Sequence, residues 1–176
     1  QCDLRTVQTH LKGATIQEFI YLCKKSAMSY TQFLYHIVFR TKRSIPAIFE
    51  RSERELYAYI LGYTRNKKAK LYRIGGMPDH IHMLIDIPPT IAVAEFMRGL
   101  KESTSKWLKG NPSFPTFIGW GESYAAFTYS LDSKNVIIEY IKNQKEHHKR
   151  ISFVEEYRRI LVDNGITPND KYFLID

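Results

Sequence analysis

The alternation of apolar and polar residues along the chain predicts four β-strands. Runs rich in β-branched and aromatic residues, or apolar at every second position, are typical of strands. Turn-forming residues bound these runs, with Gly75-Gly76 before the third strand and Pro88-Pro89 after it. The predicted strands are 30–40, 70–75, 80–87 and 124–130.

Apolar residues that recur every three or four positions predict four helices. Ser52 is the expected N-cap of the first helix, with Glu55 in the capping-box position, and Gly165 is the expected C′ residue of the last. The third helix is expected to begin at Asp132 or Ser133 and to run into a basic segment. The predicted helices are 52–68, 91–109, 132–150 and 152–164.

The order of these elements predicts an α+β fold. Strand, helix, strand, strand, helix, strand is the order of the ferredoxin-like βαββαβ fold. Because right-handed crossovers place both helices on the same side, we expect an antiparallel sheet with one covered and one open face. A C-terminal helix that carries Tyr140 and a further helix follow this core. Residues 1–27 are expected to form an extension outside a single domain over 28–176.

The composition favours an anionic partner. The chain has 26 Lys and Arg against 18 Asp and Glu, a net charge of +8. Nucleic acid is the partner that best fits such a balance, and a basic surface without a polyanionic ligand is the alternative. Cys2 and Cys23 both precede the first strand, which excludes a disulfide framework and a four-cysteine zinc site. The reducing cytoplasm suits this pattern, and no apolar run reaches the roughly 18 residues of a membrane span.

His80 and His82 are the first candidates for chemistry. Residues i and i+2 of a strand point to one face, so the two imidazoles stand side by side with their Cα atoms roughly 6.5–7 Å apart. Such a pair can hold one divalent metal ion, although two histidines at this spacing can also be simple polar residues on a strand face. His36, in the first strand, is compatible with an active-site role or with a hydrogen-bonded position under the sheet.

Tyr140 and Gln144 are the second pair of candidates. At positions i and i+4 they share one face of the predicted helix, about 6 Å apart along its axis. Beside the histidine pair they would form a site of two imidazoles and one amide next to a phenol nucleophile. Its open positions suit Mg²⁺ or Mn²⁺ acting on a phosphodiester. The alternative is that Tyr140 packs its helix against the sheet, which is the commoner role at this spacing.

Three motifs resemble those of the single-tyrosine HUH transposases of the IS200-like insertion-sequence family. They are MPDHIH at 77–82, YIKNQ at 140–144 with His147-His148 just beyond, and YHIVFRTK at 35–42. The resemblance covers about residues 28–153, and relatives that process repeated extragenic palindromes share the same motifs.

The resemblance implies a mechanism and partners. It makes Tyr140 the nucleophile that attacks a DNA phosphate, forms a 5′-phosphotyrosine and frees a 3′-OH. It makes His80, His82 and Gln144 the ligands of Mg²⁺ or Mn²⁺. The implied substrate is single-stranded DNA with hairpins near the element ends. The implied assembly is a homodimer in which the tyrosine of one subunit completes the histidine site of the other.

Single-stranded DNA would also account for the basic charge, because positive side chains follow its phosphates. The candidate DNA contacts are Arg40, Lys42, Arg43, Arg65, Lys67, Lys68, Lys142, Lys145, His148, Lys149 and Arg150. Two other functions stay open on sequence grounds. One is a hydrolase in which His80 and His82 activate water, and the other is a non-catalytic nucleic-acid-binding domain. A domesticated palindrome-processing relative is a further alternative.

Overall fold

A four-stranded antiparallel sheet lies at the centre of the fold. The computed structural model describes residues 30–171 and 173–176, so the expected extension over 1–27 lies outside the described residues. The strands follow the spatial order β2-β3-β1-β4, and every neighbouring pair is antiparallel. They are β1 Tyr35–Arg40, β2 Lys70–Met77, β3 His80–Asp86 and β4 Ala125–Thr128.

Five helices accompany the sheet within the described residues. They are α1 Glu50–Asn66, α2 Val93–Lys109, α3 Lys134–Lys142, α4 Gln144–His147 and α5 Phe153–Asp163. The order β1-α1-β2-β3-α2-β4 confirms the predicted ferredoxin-like α+β fold. None of the helices in the described part of the chain is long and apolar enough to cross a membrane.

Alternate side chains of the central strands point to opposite faces of the sheet. Ile37 of β1 and Ile81, Met83 and Ile85 of β3 belong to the main core, which α1 and α2 complete. Residues of the opposite parity face the other way and include both histidines of β3. Leu56, Ile60, Phe96 and Leu100 are the main helix residues of the core.

The expectation of an open second face is wrong. Ile141 of α3 packs against Leu84, while Phe153 and Tyr157 of α5 pack against Val38. These C-terminal helices are amphipathic, and their apolar residues leave water by covering the sheet. His80 and His82 are therefore fully buried, where an open face would have exposed them.

The predicted starts of β1 and α1 lie at the wrong residue, and α2 begins at Val93 where residue 91 was expected. β1 begins at Tyr35 because its residue pairing with β3 and β4 begins there, and Leu34 contributes only its carbonyl, which accepts from the Tyr129 amide. α1 begins at Glu50 with Phe49 as N-cap, because the amides of Ser52 and Glu53 already donate to the Phe49 carbonyl. Ser52 therefore lies within the first turn of α1 and does not cap it.

The predicted helix over 132–150 is interrupted. α3 ends at Lys142, and Asn143 has φ −93° and ψ 13°, after which the short α4 begins at Gln144. Asparagine favours such interruptions because its side chain competes for backbone hydrogen bonds. The last helix is confirmed at both ends. Ser152 forms a capping box with Glu155, and Gly165 has φ +74° in the C′ position.

Candidate active site

His80 and His82 lie on the second face of β3, at the centre of the sheet. In the β2–β3 pairing Gly75 lies opposite His82. Glycine is required there because a Cβ atom would lie 2.8 Å from the backbone oxygen of Ile141. The missing side chain lets α3 approach the sheet closely, which brings the residues that follow Ile141 towards the histidines.

One nitrogen of each histidine is engaged and the other is available. His80 Nδ1 lies 2.8 Å from Asp79 Oδ1, and His82 Nδ1 lies 3.0 Å from His36 Nε2. The Nε2 atoms of His80 and His82 are buried and have no hydrogen-bond partner among the described residues. Contacts of this kind behind a histidine fix the ring orientation and prepare the opposite nitrogen for a metal. His36 is thus a buried histidine on the same face of the sheet, and it supports the site by contacting the His82 ring.

Burial keeps two of these rings neutral. It lowers the pKa of His82 to about 4 and the pKa of His36 to about 3, with the neighbouring His82 adding to the shift at His36. Metal ions bind the neutral form of imidazole, so the His82 ring is in the form that ligation needs near neutral pH.

Glu156 of α5 is the centre of the site, and sequence reasoning missed it. Its Oε1 accepts hydrogen bonds from the Tyr140 hydroxyl and from Gln144 Nε2, the latter at 2.9 Å. Its Oε2 lies 3.0 Å from His148 Nε2, 3.4 Å from His82 Nε2 and 3.6 Å from His80 Nε2. The side chain is 2% exposed, so water contributes little to its solvation.

The sequence did contain a signal for Glu156. Phe153, Tyr157 and Ile160 form the apolar stripe of α5, and Glu156 lies within that stripe. A carboxylate buried on such a stripe is costly unless it is paired and hydrogen-bonded. A glutamate at this position therefore indicates cationic or donor partners across the interface.

The carboxylate and the phenol shift each other's ionisation. Burial alone would raise the pKa of Glu156, but its hydrogen bond with His148 and the nearby His82 ring hold that pKa well below its usual range. Burial and the nearby Glu156 charge both raise the pKa of the Tyr140 phenol. Tyr140 is therefore protonated in this arrangement and donates its hydrogen to Glu156.

Tyr140 and Gln144 meet at Glu156 although a helix break separates them. The Tyr140 ring centroid lies 5.9 Å from that of His82 and 6.0 Å from that of His36. A cavity of about 330 Å³ opens beside the phenol, with Tyr129 and Arg159 among its lining residues. The structure thus brings together all four residues predicted for catalysis and metal binding.

The donor atoms in the site fit a divalent metal ion. The ligand atoms of His80, His82 and Glu156 lie within 4.8 Å of one another. The Oε1 atom of Gln144 is buried without a partner, as are the two histidine Nε2 atoms. Two imidazole nitrogens with carboxylate and amide oxygens form a mixed nitrogen–oxygen set that suits Mn²⁺, and Mg²⁺ through its oxygen donors.

The predicted DNA contacts are spread over several surfaces. Arg40 is buried, with its Nη1 and Nη2 atoms each 2.9 Å from a carboxylate oxygen of Asp176. Contact between Arg40 and DNA would require residues 173–176 to move. His148 lies inside the site against Glu156, while Arg65, Lys67 and Lys68 are exposed beside the sheet end that is formed by Lys70 and Asp86.

The remaining candidates lie in exposed positions or already have acidic partners. Lys145 Nζ lies 3.0 Å from Glu50 and 2.9 Å from Glu53, and Lys142 and Lys149 each pair with the acidic residue three positions earlier in the chain. Arg43 and Arg150 are exposed, and Lys42 is half-buried.

Comparison with known proteins gives consistent relatives. The family described as "Transposase IS200 like" matches residues 29–144. The chain is 31% identical over 119 residues to the transposase of insertion sequence element IS200 from Salmonella typhimurium, covering 65% of this chain and 78% of the relative. The corresponding transposase of Salmonella typhi matches to the same extent.

Two solved structures share the fold. One is a crystal structure of a protein from Deinococcus radiodurans described as a transposase, with TM-score 0.53 and 23% identity, covering 68% of this chain and 96% of that one. The other is a REP-associated tyrosine transposase bound to a REP hairpin, with TM-score 0.53 and 13% identity, covering 81% of this chain and 87% of that one.

Proposed function

Because the chain belongs to the IS200-like transposase family, we propose that it cleaves and rejoins single-stranded DNA at insertion-sequence ends, with Tyr140 as the nucleophile. One observation carries the proposal. The Tyr140 hydroxyl, the Gln144 amide and the available nitrogens of the paired histidines all converge on Glu156. Neither a water-activating hydrolase nor a binding domain needs a tyrosine hydroxyl at that point.

The proposed step exchanges one phosphate ester for another. The Tyr140 oxygen bonds to phosphorus while the bond from phosphorus to O3′ of the DNA breaks. The downstream 5′-phosphate is then linked to the protein, and the leaving oxygen takes up a proton to become a 3′-OH. Glu156 accepts the hydrogen bond from the phenol and is the nearest base to receive its proton. Attack by another 3′-OH reverses the exchange, so no nucleotide cofactor is required.

We assign the metal to His80 Nε2 and His82 Nε2, with an oxygen of Gln144 or Glu156 as the third ligand. Mg²⁺ or Mn²⁺ would supply Lewis-acid polarisation of the phosphate when bound. Asp79 and His36 orient the two rings from behind, so the chain itself sets the direction of both donor nitrogens.

The substrate is proposed to carry a hairpin near each element end. The solved structure of a relative bound to a REP hairpin supports this proposal. Measured affinities for a single strand with and without a stem-loop of the same length test it. A domesticated palindrome-processing protein would bind palindromes found elsewhere in the genome in preference to those that flank its own gene.

A covalent-adduct assay tests the nucleophile. With Mn²⁺ present, a single strand labelled at its 3′ end should become attached to the protein, and Tyr140→Phe should abolish the attachment. Tyr129→Phe is the matched control, because Tyr129 lines the same cavity but contacts Asn164. Strand cleavage that persists in Tyr140→Phe without any adduct would favour the hydrolase, and an adduct that persists would exclude Tyr140 as the nucleophile.

The homodimer with shared sites is the proposed assembly, although each single chain contains a complete set. Tyr140 lies beside the His82 ring of its own chain, so a shared site would require α3 and its tyrosine to change partner. Mixed dimers of Tyr140→Phe and His82→Ala subunits test this proposal. Recovered adduct formation supports exchange between subunits, whereas verified heterodimers without activity would indicate that each chain uses its own tyrosine.

A further inference from the structure

A second charged cleft adjoins the active site on the side of Gln144. It encloses about 360 Å³ between α1, β2 and the α3–α4 segment, and it is separate from the cavity beside Tyr140. Gln144 lines this cleft while donating to Glu156, so the cleft borders one of the proposed metal ligands. Its charged lining residues are Glu53, Arg54, Arg73, Lys142 and Lys145.

Arg73 lies on the same face of the sheet as the histidines. It pairs with Leu84, and Gly75 pairs with His82, in the register that follows the irregularity between Leu71 and Arg73. Alternate residues of a strand share a face, so the Cα atoms of Arg73 and Gly75 are roughly 6.5–7 Å apart. Gly75 lies opposite His82 and has no side chain. No side chain of β2 therefore stands between Arg73 and His82 on this face.

The charges of the cleft are not balanced. Glu53 is bound to Lys145 at 2.9 Å, and Lys142 is 3.2 Å from Glu139. Neither Arg54 nor Arg73 forms an ion pair with any residue in 30–171 or 173–176, and the Nε atom of Arg73 is buried without a hydrogen-bond partner. A buried Nε–H without a partner is costly in the free protein, and an anion bound by the Arg73 guanidinium would offset that cost.

We infer that Arg73 and Arg54 form a subsite for a backbone phosphate of the DNA strand, next to the scissile phosphate on the Gln144 side. The inference rests on the proposed function, because Tyr140 and the histidines define where the scissile phosphate lies. The planar fork of arginine matches phosphate oxygens and can bind two of them at once. A strand that crosses the site from Tyr140 to Gln144 would place its next phosphates in this cleft.

DNA-binding measurements test the subsite independently of chemistry. All variants are made with Tyr140→Phe, and their affinity for single-stranded DNA is measured by fluorescence anisotropy at several salt concentrations. Arg73→Gln should weaken binding about tenfold or more, since it removes a charge-assisted hydrogen bond to a phosphate. It should also reduce the salt slope by about 0.7, the value for one phosphate contact with a single strand.

Three further variants make the result specific. Arg54→Gln should act in the same direction, and Arg73→Lys should retain the salt slope because it keeps the charge. Arg98→Gln is the matched control, since Arg98 is exposed on α2, the helix that packs on the opposite face of the sheet. Thermal unfolding of each variant checks that the fold is intact. Equal affinities for Arg73→Gln and Arg98→Gln would overturn the inference.

Neutralising single phosphates then locates the contact. A methylphosphonate placed at successive positions near the cut should weaken binding to the Tyr140→Phe protein at one or two positions, and Arg73→Gln should remove that sensitivity. Unchanged sensitivity at every position would also overturn the inference. Adduct formation by the protein with Tyr140 intact is scored separately. If no adduct forms but the sensitivity depends on Arg73, the proposed function fails and the subsite stands.

Discussion

Replacing Glu156 with glutamine should destabilise the protein by about 3 kcal/mol, because one buried carboxylate joins α5 to the rest of the site. Its oxygens accept hydrogen bonds from Tyr140, Gln144 and His148 and lie near both metal-site histidines. Glutamine has the same shape, but one oxygen becomes an NH₂ group that faces donors. Hydrogen bonds to a charged acceptor contribute about 1.5–3 kcal/mol each, and the variant loses one or two of them.

Urea unfolding without metal measures this effect. The midpoint should fall while the slope stays constant, because the surface exposed on unfolding does not change. Glu139→Gln is the control, since Glu139 is exposed and pairs with Lys142, a surface contact worth about 0–1 kcal/mol. A loss below about 1 kcal/mol for Glu156→Gln would refute the view that this carboxylate organises the site.

Two other predictions concern the metal and the packing of α3. Mn²⁺ at about 100 times its Kd should stabilise the protein by about 2.7 kcal/mol, and calorimetry should show that His82→Ala loses this increase; an unchanged increase would place the ion elsewhere. Gly75→Ala should cost about 1–3 kcal/mol and reduce adduct formation, because its Cβ would meet the Ile141 oxygen at 2.8 Å. At Gly62 in α1 an added Cβ would have no described neighbouring atom within 4 Å, so Gly62→Ala should instead stabilise by about 0.5–1 kcal/mol. Equal losses in the two variants would contradict this account.

The sequence was sufficient for the fold and for selecting four candidate residues that the structure brings together. Local patterns determine the order of strands and helices, and the i, i+2 spacing of His80 and His82 determines that they share a face. The brief turn of Pro78 and Asp79 between β2 and β3 also follows from local chemistry. These features depend on neighbours in the chain, which a single sequence displays.

The sequence was insufficient where distant segments meet. The start of β1 at Tyr35 depends on the residues available in β3 and β4, and the break at Asn143 accompanies the packing of α3 on Gly75. Arginine side chains usually lie at the protein surface, yet Arg40 is buried against Asp176, 136 positions later. Glu156 likewise acquires its role only when α5 lies across the histidines.

β3 carries core residues on one face and site residues on the other, which restricts how this gene can change in length. His80 and His82 alternate with Ile81 and Met83, which belong to the core under α1 and α2. Loss or gain of one residue inside β3 would turn the imidazoles into the apolar core and an isoleucine into the site. A two-residue change would preserve the alternation. In-frame insertions of a single codon should therefore be selected against within β3 while being tolerated in surface loops.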